Sequence, residues 1–176
     1  MRKLLEKTLV SMVCLVTVIT LLGAYWPWEY VKYTHPVNMP VSLAVGHVKT
    51  PEFKVIKDRY IILITAKIGK LPIAKQECMM GMSTGPLDPN NCDQEPLIMA
   101  NWTVWSDGHI VAQGTPKDAG TFSYASDELS RYLGDFYGEK GKKYILDVNF
   151  IKDGTALAVT NPHLNVEISN ASYLAP

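Results

Sequence analysis

The sequence predicts a mainly β protein: an immunoglobulin-like two-sheet β-sandwich with one short helix, preceded by a single N-terminal transmembrane helix. Three observations carry this. The first 28 residues hold a basic start and then an uninterrupted apolar run. From residue 41 onward, apolar and polar residues alternate in short runs separated by Gly, Pro, Asn and Asp. About seven such runs at regular spacing favour two packed antiparallel sheets.

The N-terminal element opens with "MRKLLEK" and continues as "TLVSMVCLVTVITLLGAYWPW", which carries no charge. Leu9 to Trp28 is 20 residues. At ~1.5 Å per residue they reach ~30 Å, the hydrocarbon thickness of a bilayer. Arg2, Lys3 and Lys7 then stay cytoplasmic, and Tyr25, Trp26 and Trp28 mark the far interface. A cleaved signal peptide competes with this reading. It needs an unusually long apolar region, and the cleavage site after "LLGA" has Leu22 where a small residue is expected. The lipoprotein pattern fits less well, because Cys14 lacks its small neighbour. The expected organisation is an uncleaved anchor over 1–28, a tether over 29–40 and an extracytoplasmic domain over 41–176. The expected address is the bacterial inner membrane, with the domain in the periplasm.

Charge excludes some partners. The chain has 17 basic and 17 acidic residues, and the part beyond residue 28 keeps 14 and 16. That balance offers nucleic acid or an anionic surface no electrostatic footprint.

The strands follow in order. "VSLAVGHV" (41–48) alternates, and "EFKVIK" follows Pro51. "RYIILITAKI" (59–68) is rich in β-branched residues and reads as a central strand. "MANWTVWSDGHIVAQG" is a hairpin around Asp107-Gly108. "KKYILDVNFI" (142–151) and "HLNVEIS" (163–169) alternate again. The exception is "SDELSRYLGDFYG". Ser126 is a candidate N-cap, and Leu129, Tyr132 and Leu133 fall at i, i+3, i+4, so this segment predicts the short helix. Tyr144, early in its strand after a Gly turn, sits as in the tyrosine corner of Greek-key sandwiches.

The run "YLGDFYGEKGKKYILDVNFIKDGTALAVTNPHLNVEI" resembles the C-terminal half of small, uncharacterised, membrane-anchored or periplasmic bacterial proteins. An "LGxF" turn there precedes a "YxLxV" strand and a late "NPHLxV" strand. The resemblance covers about a quarter of the chain. It implies an envelope β-sandwich and brings no catalytic residues with it.

"CMMGMSTGPLDPNNC" holds the candidate site residues. Outside the cytoplasm, Cys78 and Cys92 are expected to pair and close a turn-rich loop, worth about 3 kcal/mol by chain entropy. The alternative is a soft-metal site in which Met79, Met80 and Met82 bind copper through thioethers, with Met80 and Met82 on one face of a strand. The loop contains no His to help them. Asp88, Asn90, Asp93 and Glu95 supply oxygens for calcium, but the EF-hand glycine is missing.

Trp102 and Trp105 are three apart, so on a strand they face opposite ways: one enters the core and the other is a candidate partner anchor, with Met80 and Met82 beside it. Asn101-Trp102-Thr103 and Asn170-Ala171-Ser172 match the glycosylation pattern, which matters only in a eukaryotic secretory path. His35, His47, His109 and His163 are scattered, with no HExxH or GxSxG motif, so no catalytic residues and no cofactor are expected. The functional expectation is a non-catalytic binding module, either an immunity protein or an accessory subunit of an envelope complex.

Overall fold

The computed structural model describes residues 34–56, 58–81, 96–117, 122–125 (backbone only) and 127–169. The chain forms two compact units, 1–34 and 35–176. The anchor expected over 1–28 lies outside the described residues, as do Met82 and Cys92. Among the described residues, no helix is long and apolar enough to cross a membrane.

Among the described residues the second unit holds ten strands: β1 (Val37–Pro40), β2 (Gly46–Lys49), β3 (Phe53–Lys54), β4 (Asp58–Lys67), β5 (Ala100–Ser106), β6 (His109–Gly114), β7 (Phe122–Ala125), β8 (Glu128–Gly138), β9 (Lys143–Phe150) and β10 (His163–Ile168). Helix α1 (Ile73–Met80) links β4 to β5, and a 3-10 turn (Thr155–Thr160) precedes β10. The strands form two antiparallel sheets, in the orders β1-β10-β4-β8-β7 and β2-β9-β5-β6. The short β3 joins the second sheet beside β9, on the same edge as β2. Thr50 bridges the two edge strands: it donates its N–H to the Leu146 carbonyl and accepts the Leu146 N–H on its hydroxyl.

Mainly β, in two sheets, agrees with the expectation. The strand order departs from an immunoglobulin sandwich, in which neighbouring strands A-B and E-D pair within one sheet. Here early and late strands interleave: β10 lies between β1 and β4, and β9 lies between β2 and β5. The hairpins are β5-β6 and β7-β8; most other connections change sheet. That is the wrapped order of a jelly roll. Alternation along a strand specifies which face is buried, and says nothing about which distant strand lies alongside.

Three further expectations are corrected. The helix expected around 126–134 is strand β8. It carries a bulge: Ile62 pairs with Gly134 and Leu63 with Tyr132, so Leu133 is the extra residue. A bulge resets the two-residue period. Inward positions 131 and 134 are taken by Arg and Gly, so the inward apolar side chains are Leu129, Leu133 and Phe136, a spacing that imitates a helix. Second, the tether over 29–40 reaches too far, because β1 begins at Val37 and pairs with β10. Third, Cys78, Met79 and Met80 lie on helix α1 rather than on a strand or loop. Pro72 before that helix and Gly81 after it, with Ala, Lys, Gln, Glu and Met between, were readable start and stop signals.

The core lies between the sheets. Tyr60, Ile62, Ile64 and Ala66 of β4 face Tyr144, Leu146, Val148 and Phe150 of β9 and Trp102 and Val104 of β5, all nearly solvent-free. Phe53, Tyr60, Phe136 and Tyr144 make an aromatic cluster with ring centroids 5.5–6.4 Å apart. Each tyrosine finds a backbone donor for its hydroxyl. Tyr60 accepts from the Ile56 N–H at 3.1 Å, and Tyr144 from the Glu139 N–H at 2.9 Å. The corner expected at Tyr144 is therefore present as a bond to the backbone five residues upstream.

Candidate interaction face

Two outer faces remain, one per sheet. On the second sheet, Trp105 of β5 pairs across the strands with Ile145 of β9 and with Ile110 of β6. Cross-strand partners share a face, so Ile145, Trp105 and Ile110 form one outward row, 37%, 36% and 50% exposed. A bulge between Val104 and Trp105 inserts Val111 into β6, and Val111 is 47% exposed beside this row. The hairpin tip is set by Asp107 (φ 51°) and Gly108 (φ 78°). Both central residues take positive φ, which is why Asp-Gly occupies this turn.

Polar rows continue the same face. Lys49, Asp147, Thr103 and Gln113 align across β2, β9, β5 and β6. His47, Asn149 and Asn101 form the next row. Asp147 anchors them, accepting from His47 Nδ1 at 2.9 Å and pairing with Lys49 Nζ at 3.4 Å. The face thus combines an apolar row containing an indole with fixed polar groups.

Trp102 has the opposite role. It is buried, and its Nε1–H donates to the Leu133 carbonyl at 2.9 Å. Leu133 is the bulge residue of β8, so the bulge presents a carbonyl to the opposite sheet. The indole lies between Gly114 and Gly134: a Cβ at either would approach it to 2.5 and 2.2 Å. Of the two tryptophans, one is core and one is surface, as the spacing implied; Trp102 is withdrawn as a partner contact.

Of the three candidate methionines, Met79 and Met80 lie in the described residues and Met82 lies outside them. Met80 is fully buried in the core, and Met79 packs against it. Met80 closes α1, so it does not lie on the strand expected for it. Among the described residues, no group of three His, Cys, Asp or Glu side chains is placed to hold a metal. No complete disulfide falls within the described residues: Cys78 is present as a disulfide-bonded cysteine, and Cys14 and Cys92, the other two cysteines, lie outside them.

The outer face of the first sheet carries a polar cluster that sequence reasoning missed. Arg59 and Tyr132 both bond the Asp135 carboxylate. Burial pushes Asp135 up, but these two hydrogen bonds outweigh it and hold the carboxyl below its ordinary value. Burial, then the Asp135 bond, pushes the Tyr132 hydroxyl up to about 12. The three residues come from two paired strands, β4 and β8. Only their register brings them together, so no local motif announces them.

Glu167 lies on that face as well. Burial raises its carboxyl, partly opposed by His35, whose Nε2 is 3.5 Å away. A raised folded-state value means that stability is lost as pH rises through it. Glu167→Gln removes that loss. We therefore expect the variant to match the parent in urea unfolding at acid pH, where Glu167 is protonated in both states, and to exceed it at neutral pH and above. The side chain is 32% exposed, so the gain is below about 1 kcal/mol. A variant less stable than the parent at pH 8 contradicts the assignment.

No known protein family matches the chain, and no curated protein is similar to it. Its fold is similar to that of a Sulfurospirillum deleyianum protein known from its crystal structure. The TM-score is 0.56 at 16% identity, over 76% of this chain and 97% of that one. At that identity the likeness concerns the fold alone.

Proposed function

We propose that this chain is a membrane-anchored, non-catalytic binding module of the bacterial envelope. Its sandwich lies in the periplasm and meets a protein partner through the outer face of the second sheet. One observation carries the reading: the exposed row Ile145–Trp105–Ile110, joined by Val111. Tryptophan supplies more binding energy per residue than most side chains, and surrounding apolar and polar neighbours exclude water from it. An immunity protein and an accessory subunit of an envelope complex are the two forms such a module would take. The anchor rests on the charge-free run from Thr8 to Trp28. The buried place of Met80 gives the copper alternative no support.

The test uses the full chain with a photoreactive residue at Ile110 or Ile145, and at Tyr137 of the other sheet, 76% exposed, as control. Discrete protein adducts are expected from positions 110 and 145 and not from 137. Trp105→Ser should weaken partner binding by roughly thirtyfold, a loss of about 2 kcal/mol. Its urea midpoint should hardly move, since surface changes stay within about 0.5 kcal/mol. Equal adducts from both faces, or unchanged binding in Trp105→Ser, overturn the proposal.

A further inference from the structure

The polypeptide enters the sandwich at one end, and the exposed indole lies at that same end. His35 is the first residue of the second unit, and its Nε2 lies 3.5 Å from the Glu167 carboxylate of β10. Glu167 pairs with Ile61 of β4, next to Tyr60, and β1 then runs from Val37 toward the His163 end of β10. β8 finishes at the entry end, where its Gly138 pairs with Asp58. Four residues, 139–142, carry the chain from there into β9 at Lys143. The aromatic cluster joins the two sheets at this level: Tyr60 stacks on Phe136, Phe136 contacts Tyr144, and Ile145 is the next residue. The row Ile145–Trp105–Ile110 therefore lies where the chain enters. The far end of the same sheet, where Phe150 pairs with Gly46 and Ala100, is ~17 Å beyond Ile145 at ~3.3 Å per residue. It exposes Val45 and Ile151.

Covalent reach limits how far this end can stand from a bilayer. Only residues 29–34 separate Trp28 from His35, and fully extended they span at most about 21 Å. We propose that the partner met by the Trp105 row is a different protein with its own anchor in the same membrane, presenting an apolar segment just above the bilayer surface. This rests on the anchor and the partner face proposed above, and adds where the partner is held. Two proteins fixed in one bilayer meet at a raised effective concentration, so a short row of side chains suffices to hold them together. A freely diffusing periplasmic protein gains no such advantage. The bilayer also blocks part of its approach to a row at the entry end, whereas Val45 and Ile151 at the far end stand clear.

The test places a photoreactive residue at Ile110 or at Ile151 of the full chain in intact envelope membranes. Each version is also made with a spacer of about twenty residues after Trp28, before the described fold begins. One spacer is built of helical Glu-Ala-Ala-Ala-Lys repeats and lifts the domain by ~30 Å. The other is Gly and Ser, whose end-to-end distance of about 25 Å is an average that lets the domain return to the surface. Without a spacer, position 110 should give a discrete adduct to a membrane-anchored protein, and position 151 none. The helical spacer should lower that yield at least about tenfold, and the flexible spacer less than about threefold. Four results overturn this inference and leave the partner face standing: equal effects of the two spacers, equal adducts from positions 110 and 151, an adduct to a protein with no membrane anchor, or an adduct to a second copy of this chain. No adduct from position 110 without a spacer, or an adduct to lipid alone, overturns the partner face and this inference with it.

Discussion

Trp102→Ala should cost roughly 3–5 kcal/mol, the range for emptying a large aromatic site, a large part of the ~5–15 kcal/mol of an ordinary domain. The indole spans the two sheets. It stacks between Gly114 of its own sheet and Gly134 of the other, and its N–H satisfies the Leu133 carbonyl exposed by the bulge. Removing it leaves a cavity between two glycines that have no side chain to fill it. It also strips the partner from a buried carbonyl, itself a cost of about 1–3 kcal/mol. A double-mutant cycle isolates the packing. In the parent, Gly134→Ala places a Cβ 2.2 Å from the indole and must be destabilising. In the Trp102→Ala background the same Cβ enters the vacated space and should cost far less. Urea unfolding of the four chains gives the coupling. Additive effects, or a Trp102→Ala cost under about 1 kcal/mol, would show that the indole does not hold the sheets together.

Most strands were legible because their period survived. β4, β9 and β10 were expected to within a residue or two, since each keeps one apolar face over six or more residues. The Asp107-Gly108 hairpin was legible because its turn chemistry is local. Where the account failed, the cause was non-local. In β8 a bulge at Leu133 shifted the inward set by one residue, and the shift exists to meet Trp102, 31 positions away. The jelly-roll order depends on which strands lie side by side, and alternation does not encode that. The interaction face was half legible. Spacing placed Trp102 and Trp105 on opposite faces, but burial decided which was which, and Ile110 and Ile145 joined Trp105 only through register. The cluster at Asp135 needed the β4–β8 pairing, which no window of sequence contains.

Gly81→Ala should cost roughly 2–4 kcal/mol from strain plus overlap. Gly81 ends α1 with φ 89°, and its N–H closes the helix on the Glu77 and Cys78 carbonyls. An alanine in that region costs about 1–2 kcal/mol. The site also leaves no room. A Cβ there would lie 2.7 Å from Pro96 Cβ and 2.7 Å from Arg131 Nη1. Arg131 could swing aside in open solvent, but here it is 8% exposed. Burial lowers its pKa, and Nη1 donates to the Gly81 carbonyl at 2.6 Å. Moving it would loosen a buried charge from its acceptor. Pro96 is equally fixed, because the next residue, Leu97, donates its N–H to the Met79 carbonyl at 2.8 Å. The helix end, the returning chain and β8 are thus tied at one residue that must lack a side chain. Two comparisons separate strain from overlap. Asparagine tolerates positive φ better than alanine, so a Gly81→Asn cost equal to that of Gly81→Ala assigns the loss to overlap, and a much smaller cost assigns it to torsion. Arg131→Met should lower the cost of Gly81→Ala by removing one of the two obstacles. If Gly81→Ala unfolds at the parent's urea midpoint, the knot does not constrain the fold.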